Sequence, residues 1–343
     1  MNEIRNLFTN FYLFVMDLKS PINIEAVIGA CKKHKDLLVS VRSESANDVL
    51  QHFTPISGVK DSITLGRTTL MKVCGKYTGE FSGHKENGAI IPRVLTVRPC
   101  VMEMSDEPER YRRTYITEVD GGLDPTKHPF EVWIINHGLK SASKELHDVM
   151  LIAKYDATDE KKSLGDAFDG LLTIIEAEKS AGKISVENKN LFATGEMNVA
   201  NVGDKLLEMW RKMPGSFKRA GGKMFISDSL GEMYDDWLDN QGTLVTGSGA
   251  ETAGQQFLRN TNRKCEIVRL SGMPEGSQFV MISTKENVVY GYDNENDFRR
   301  LMPFNSGNPY KFTAAGKFVL GFQLVTLHYT ELLVNDQPVT PVG

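Results

Sequence analysis

Two short patterns in the sequence have residue types that could support catalysis or calcium binding, and both are incomplete. Ser141 and Lys144 have the spacing of an S-x-x-K nucleophile, but no S-D-N or K-T-G follows them. The acidic run 293–297 begins like a calcium loop, yet Phe298 and Phe304 occupy the positions where such a loop has Gly and Glu. These patterns therefore predict neither a catalytic serine nor a calcium site.

The histidines and cysteines lack the spacing of a metal centre. The seven histidines include no i, i+3 or i, i+4 pair, and the four cysteines include no C-x-x-C. The glycine-rich run 247–254 lacks the spacing of a dinucleotide fingerprint. We therefore expect no metal, no cofactor and no enzyme activity, and the scattered cysteines indicate a reducing compartment.

A basic cluster between positions 211 and 223 remains as a candidate site. Its five cations, with no acidic residue among them, are Arg211, Lys212, Lys218, Arg219 and Lys223. One interpretation is contact with nucleic-acid phosphates. The other is a solvated helix end, where Arg211 and Lys212 complement the dipole just before Pro214. The sequence leaves both open.

A second group of cations lies on two β-rich runs within 59–104, joined by a linker with four glycines at 75–88. The pattern predicts a long two-stranded excursion. Between Lys60 and Arg98, three acids, Asp61, Glu80 and Glu86, oppose seven cations, which are Lys60, Arg67, Lys72, Lys76, Lys85, Arg93 and Arg98. Because an isolated hairpin is marginally stable in water, this one needs a surface to lie on, and we expect its main contacts to be between subunits.

The elements that position these cations include one long helix. From Pro129 an apolar stripe advances in steps of three and four through Val132, Ile135, Leu139, Ala142, Leu146, Val149 and Ala153. It predicts a helix over about 129–154, which periodicity alone would describe as a long core or coiled-coil helix. Shorter helices over 171–181 and 202–213, a strand over 223–226 and a helix capped by Asp228 follow. The β-rich segments between 265 and 327 complete a mixed α and β order.

Composition and charge exclude several classes of protein. The 343 residues are 41% hydrophobic and 24% charged, which is typical of a globular protein rather than a disordered or multi-span membrane chain. The formal net charge of −4 argues against a chain that wraps nucleic acid as a whole. The early apolar run 11–16 has neither the basic flank nor the cleavage site of a signal peptide, so we expect synthesis in the cytoplasm and no membrane partner.

Three stretches resemble a known family: 168–175 with 181–184, 213–227, and 270–297. They are similar to the major capsid proteins of tailed bacteriophages with the HK-ninety-seven-like fold, and most of all to those of phages infecting Bacteroidota. The order of elements matches from about residue 20 to the end. No single motif is diagnostic.

The resemblance implies an α+β fold with the regions of that family. These are an N-terminal arm (1–57), an extended loop (58–104), a peripheral domain with a spine helix (105–194), a mostly axial domain (195–300), and strands that return to the peripheral domain (301–343). In this arrangement the basic excursion lies over a neighbouring subunit. Only about 57 residues precede it, so we expect a separate scaffolding protein.

The function implied is a shell protein that assembles as hexamers and pentamers around double-stranded DNA, in a virion with portal, scaffolding and decoration proteins. An encapsulin-type nanocompartment shares the fold and is the main alternative. The other alternative is a cytoplasmic α/β enzyme with its site at the turns around 273–277.

Overall fold

The computed structural model describes residues 46–68, 90–107, 109–122, 130–158, 163–240, 257–304 and 311–340. Most of the predicted arm, the centre of the basic excursion and Pro129 lie outside these residues. The helices are α1 (Ala46–Leu50), α2 (Glu109–Asp120), α3 (Phe130–Val149), α4 (Leu171–Ser180), α5 (Val202–Lys212), α6 (Gly215–Ala220) and α7 (Asp228–Asn240).

The strands alternate with these helices along the chain. They are β1 (Thr54–Ile56), β2 (Ser62–Thr68), β3 (Ile90–Thr96), β4 (Arg98–Asp106), β5 (Leu191–Phe192), β6 (Gly222–Ile226), β7 (Cys265–Arg269), β8 (Val280–Ser283), β9 (Val288–Gly291), β10 (Met302–Phe304), β11 (Phe312–Leu324) and β12 (Leu332–Asn335).

The described residues form two compact units. The smaller contains 101–107, 109–122, 130–144, 295–304 and 311–318, and the larger contains the remaining described residues. The five regions expected from the family resemblance stay a prediction.

An aromatic cluster joins α2 to α3 in the smaller unit. The ring of Tyr115, which is fully buried, packs against Phe130 and Trp133, and Trp133 stacks on His137. Trp133 Nε1 also donates to Glu118 Oε2 at 2.7 Å. In the same unit β10 pairs antiparallel with the first part of β11.

Helix α3 confirms the predicted long helix, but it ends at Val149 and not near residue 154. Beyond it, the carbonyl oxygens of Leu151 and Ala153 accept hydrogen bonds from the amides of Leu172 and Gly170, at 2.9 and 2.8 Å. Gly170 is the N-cap of α4 and Leu172 lies in its first turn, and this helix has no side-chain cap. Helix α3 therefore ends where the carbonyl groups that follow it accept hydrogen bonds from the otherwise unpaired amides at the start of α4.

A five-stranded sheet forms the centre of the larger unit, in the order β5-β12-β8-β6-β7. Strands β6 and β7 are parallel, whereas β8 is antiparallel to both β6 and β12. All four residues of β8 are buried, as expected for a strand covered on both faces. Helices α5 and α7 contribute to the core beside this sheet, and a Cβ at Gly203 would meet the Trp237 ring at 2.3 Å.

The start of α7 differs from the prediction in its cap. Ser227 Oγ, rather than the Asp228 carboxylate, accepts a hydrogen bond from the Leu230 amide at 3.1 Å. Ser227 is buried at the end of β6, so its short side chain can reach the first turn of the helix.

The predicted two-stranded excursion is confirmed for its described residues. Strand β2 pairs antiparallel with β3, from Ser62 opposite Thr96 to Thr68 opposite Ile90. The second strand is shorter than expected, because the segment that contains Val101 forms β4 and pairs with β11. We call β2 and β3 the hairpin below.

Candidate functional site: two groups of cationic side chains

Arg93 is bound within its own chain at the base of the hairpin. Its Nε donates to the Leu324 carbonyl at 2.8 Å, and its Nη2 donates to Glu178 Oε1 at 2.8 Å and to Gln323 Oε1 at 2.7 Å. The Arg93 side chain is only 11% exposed. This intramolecular role differs from the contact between subunits that the sequence predicted.

Glu178 also pairs with a second cation, which follows the C-terminal end of α4. Lys183 Nζ lies 3.0 Å from Glu178 Oε2. Burial by itself raises the pKa of Glu178, but hydrogen bonds from Lys183 and Arg93 outweigh it and leave that pKa below its ordinary value. The ionised carboxylate therefore holds the hairpin base to α4.

The other hairpin cations have different surroundings. Arg98 places its guanidinium 4.2 Å from the centre of the Tyr155 ring, and Lys60 is exposed. Arg67 is described only by its backbone, opposite Ile91. The other cations of this group, for which a contact between subunits was predicted, lie outside the described residues. They are Lys72, Lys76 and Lys85.

The hairpin also carries apolar side chains that its own unit does not cover. Leu95 is fully buried and packs with Leu65 and Val289. Ile91 lies on the same face of β3 as Leu95, because side chains alternate along a strand, but it is 68% exposed. Val94, on the other face, is 50% exposed. One face of the base is thus packed, whereas its other face at Val94 and the outer part at Ile91 present apolar surface.

The basic cluster divides into an exposed part and a paired residue. Arg211 and Lys212 are exposed in the last turn of α5, and Arg219 is exposed on α6. Lys218 Nζ donates to the Arg211 carbonyl, so this cation stabilises the C-terminal end of α5. The helix-end interpretation therefore applies to Lys218. Arg211, Lys212 and Arg219 have no acidic partner among the residues described.

Lys223 is engaged elsewhere. Its Nζ lies 3.2 Å from Glu266 Oε1 and 3.1 Å from His52 Nδ1. Burial and then the charge of Lys223 lower the pKa of His52, which favours the neutral imidazole that can accept this hydrogen bond. The sequence had no signal for this contact, because His52 and Lys223 are 171 positions apart.

The turn at 273–277, the alternative enzyme site, has a structural role in the larger unit. Ser277 is buried and its Oγ donates to the Val339 carbonyl at 2.6 Å. Close by in sequence, Ser271 Oγ lies 2.7 Å from His147 Nε2, and His147 Nδ1 lies 3.2 Å from Asp148 Oδ1. These contacts connect Ser, His and Asp in the order of a catalytic triad. However, the Asp148 side chain is 58% exposed, and Asp148 is adjacent to His147 in sequence. We assign a structural role to these contacts, which hold the turn against the end of α3.

Metal and membrane sites are absent from the part of the chain that is described. No group of three His, Cys, Asp or Glu side chains there could hold a metal ion. No described helix combines the length and apolar character needed to cross a bilayer.

Comparison with known proteins gives the class of fold. No protein-family model and no curated protein sequence matches the chain. Among solved structures, the chain is similar to a chain of the satellite phage P4 procapsid, with a TM-score of 0.51 and 11% identity over 100% of this chain and 99% of that one. It is also similar to the capsid of an empty GTA particle, with a TM-score of 0.54 and 9% identity over 85% of this chain and 90% of that one.

The fold is therefore an α+β phage-capsid fold, as the sequence predicted. The elements described above supply its mixed order of helices and sheets. At this level of identity the likeness defines the fold, and function has to be argued from the surfaces.

Proposed function

We propose that this chain is a major capsid protein that self-assembles, as hexamers and pentamers, into the icosahedral shell around the double-stranded DNA of a tailed bacteriophage. The observation that carries the proposal is a capsid fold that extends over the whole chain, with 99% of the P4 procapsid chain covered in return. In this proposal the protein has no enzymatic activity, and its function lies in the contacts between copies.

The hairpin supports the proposal because one face of its base is held within the chain, while the other face and the outer part are uncovered. Arg93 and Leu95 hold its base, whereas Ile91 and Val94 expose apolar surface. Water solvates such side chains poorly, so a second surface that covers them would stabilise the assembly. A neighbouring subunit is the partner that a closed shell provides to every copy.

The exposed part of the basic cluster suits either packaged DNA or an acidic surface of the next subunit. Arg211, Lys212 and Arg219 have no acidic partner among the described residues. They therefore form a region of local positive charge within a chain of net charge −4. A shell repeats such a contact in every subunit, so weak phosphate binding is multiplied, whereas strong binding would hinder release of the genome. Both partners stay within the proposal.

The remaining partners follow from this role. We infer that the shell includes a portal, is built with a scaffolding protein and can carry decoration proteins, and that subunits made in the host cytoplasm end in the virion. The likeness to capsid proteins of phages infecting Bacteroidota belongs to the same proposal. An encapsulin-type compartment is the second candidate, and its contents distinguish it.

Negative-stain electron microscopy of the purified full-length chain tests the proposal. We expect closed shells hundreds of ångströms across, alone or after co-expression with its scaffolding protein. Only monomers or dimers in both conditions would overturn it. If particles isolated from their natural source contain protein cargo in place of double-stranded DNA, the encapsulin-type candidate is correct.

A further inference from the structure

A polar cleft of about 260 Å³ lies at one end of the central sheet of the larger unit. It is formed where β6 and β7 begin and β8 ends, since Gly222 pairs with Cys265 and Lys223 pairs with Ser283. Three separate loops therefore meet there. They bring four cations to its lining, which are Lys223, Arg263, Lys264 and Lys285.

The charge of this cleft is positive after its internal ion pair is counted. Glu266 neutralises Lys223 at 3.2 Å. Arg263, Lys264 and Lys285 are exposed and form no ion pair with any described residue, and Glu286 is the remaining acid of the lining. Three cations against one acid leave a surplus of two positive charges by count.

The neutral state of His52 agrees with this excess of positive charge. Burial is the largest cause of its lowered pKa, but Lys223 and Lys285 both lower it further. The acids that oppose this effect are Glu266 and Asp48. His52 is therefore held neutral and adds no positive charge of its own beside Lys223.

The backbone around the cleft adopts conformations that side chains rarely allow. Gly221 has φ +91°, and a Cβ there would lie 3.1 Å from the Lys264 carbonyl oxygen. Asn260, Asn262 and Arg263 have φ values of 62°, 52° and 57°. Left-handed residues other than glycine cost free energy and concentrate where a loop must keep one shape. This loop carries two of the cleft's unpaired cations.

We propose that this cleft binds a phosphate group. A phosphate dianion, or two neighbouring phosphodiesters of nucleic acid with one negative charge each, matches the two surplus positive charges, whereas a single carboxylate would neutralise one of them. The planar fork of Arg263 and the flexible ammonium groups of Lys264 and Lys285 are typical phosphate donors. Gly221 and Gly222 also line the cleft, and a Cβ at these positions would meet the Lys264 carbonyl oxygen and the Phe217 ring. The phosphate comes either from a free ion or nucleotide, or from the backbone of nucleic acid.

The test uses the full-length chain and isothermal titration calorimetry at low salt. Inorganic phosphate is one probe, and a short DNA duplex is the other. The variant Lys264→Gln with Lys285→Gln removes two cleft cations but keeps the left-handed Arg263. Lys144→Gln with Lys154→Gln, at exposed positions away from the cleft lining, is the matched control. Thermal unfolding of each variant verifies that it folds.

We expect the cleft variant to weaken phosphate binding by about tenfold or more, and the control to leave it unchanged. If the cleft variant loses affinity for the DNA duplex by the same factor, nucleic acid is the source of the phosphate. If the cleft variant still binds the duplex normally, the ligand is a free phosphate ion or a nucleotide. Absence of phosphate binding by the unmodified chain, or equal binding by both variants, would overturn the proposal. So would binding of an acidic peptide in place of phosphate. These results do not depend on shell formation, so they can fail separately from the proposed function.

Discussion

Arg93 on β3 and Glu178 on α4 are 85 positions apart in sequence and 2.8 Å apart in space. Their side chains are 11% and 14% exposed, so the ion pair is largely removed from water. The ion pair connects the hairpin to α4, a helix with buried residues in the same larger unit. Its strength therefore determines how firmly the hairpin base is held.

Arg93→Met should lower the free energy of unfolding by about 3 kcal/mol, because it leaves the largely buried Glu178 with one cation fewer. Urea denaturation measures the change. Arg110→Met is the control, since Arg110 is 69% exposed beside Asp106 and Glu107 and should cost less than about 1 kcal/mol. Equal losses for the two variants would show that the Arg93 pair has no special role.

Acidification should weaken the same contact. The pKa of Glu178 is lowered in the folded protein, so its ionised form stabilises the fold above its ordinary value of 4.5, and this contribution is lost as the pH falls through the folded pKa. The stability advantage of the unmodified protein over Glu178→Gln should therefore shrink between about pH 6 and pH 3. Urea denaturation of both proteins across this range measures it, and a constant difference contradicts the assignment.

Ile91→Asp should block assembly without unfolding the subunit. Ile91 is 68% exposed, so the substitution should change the unfolding free energy by less than about 0.5 kcal/mol. A charge placed in an apolar contact between subunits should instead prevent closed shells, which electron microscopy would show. Val186→Asp is the matched control at 67% exposure. Normal shells from Ile91→Asp would exclude Ile91 from the subunit contact.

The described strands also predict the result of shortening the hairpin. Deletion of 76–88 leaves the packed base, with Leu65 and Leu95, in place. We expect a soluble, folded subunit that does not form closed shells. Circular dichroism and electron microscopy measure the two properties, and normal assembly would contradict the role of the excursion.

Leu146→Ala should cost about 2–5 kcal/mol, because Leu146 on α3 is fully buried and its truncation leaves a cavity. Thermal unfolding of the isolated subunit measures the loss. Ile152→Ala, at a position that is 40% exposed, should have a clearly smaller effect. An unchanged melting temperature for Leu146→Ala would mean that the surrounding side chains close the cavity.

Lys218→Glu with Arg219→Glu distinguishes the partners of the basic cluster. Lost DNA content with normal empty shells indicates phosphate contact, most visibly at low salt, whereas loss of assembly indicates an acidic surface on the next subunit. Lys218→Ala is a necessary control, because Lys218 also binds the Arg211 carbonyl. If neither assembly nor DNA content changes, the cluster is only a solvated helix end.

Periodicity predicted the elements that depend on local sequence. The stripe through Leu139 and Leu146 identified α3, and both residues are fully buried. Its end was predicted too late, because the hydrogen bonds from Gly170 and Leu172 join segments that are distant in sequence. Helix α6 was missed, since six residues between Pro214 and Gly221 are too few for a periodic signal.

The sites were less predictable than the helices for the same reason. Counting charges grouped Arg93 with the hairpin cations and Lys223 with the basic cluster. Their actual partners, Glu178 and Glu266, depend on which strands become neighbours. The phosphate cleft likewise needs three loops to meet at one end of a sheet, which no local pattern reports.

The joint between the end of α3 and the start of α4 uses main-chain atoms on both sides, at Leu151 with Leu172 and at Ala153 with Gly170. Ordinary substitutions leave these donors and acceptors unchanged. Gly170 is the exception, because a Cβ there would lie 2.4 Å from the Leu151 carbonyl oxygen. Such a joint tolerates extensive sequence drift while one glycine is kept, which is one physical route by which an architecture can persist after nearly all side-chain identity has gone.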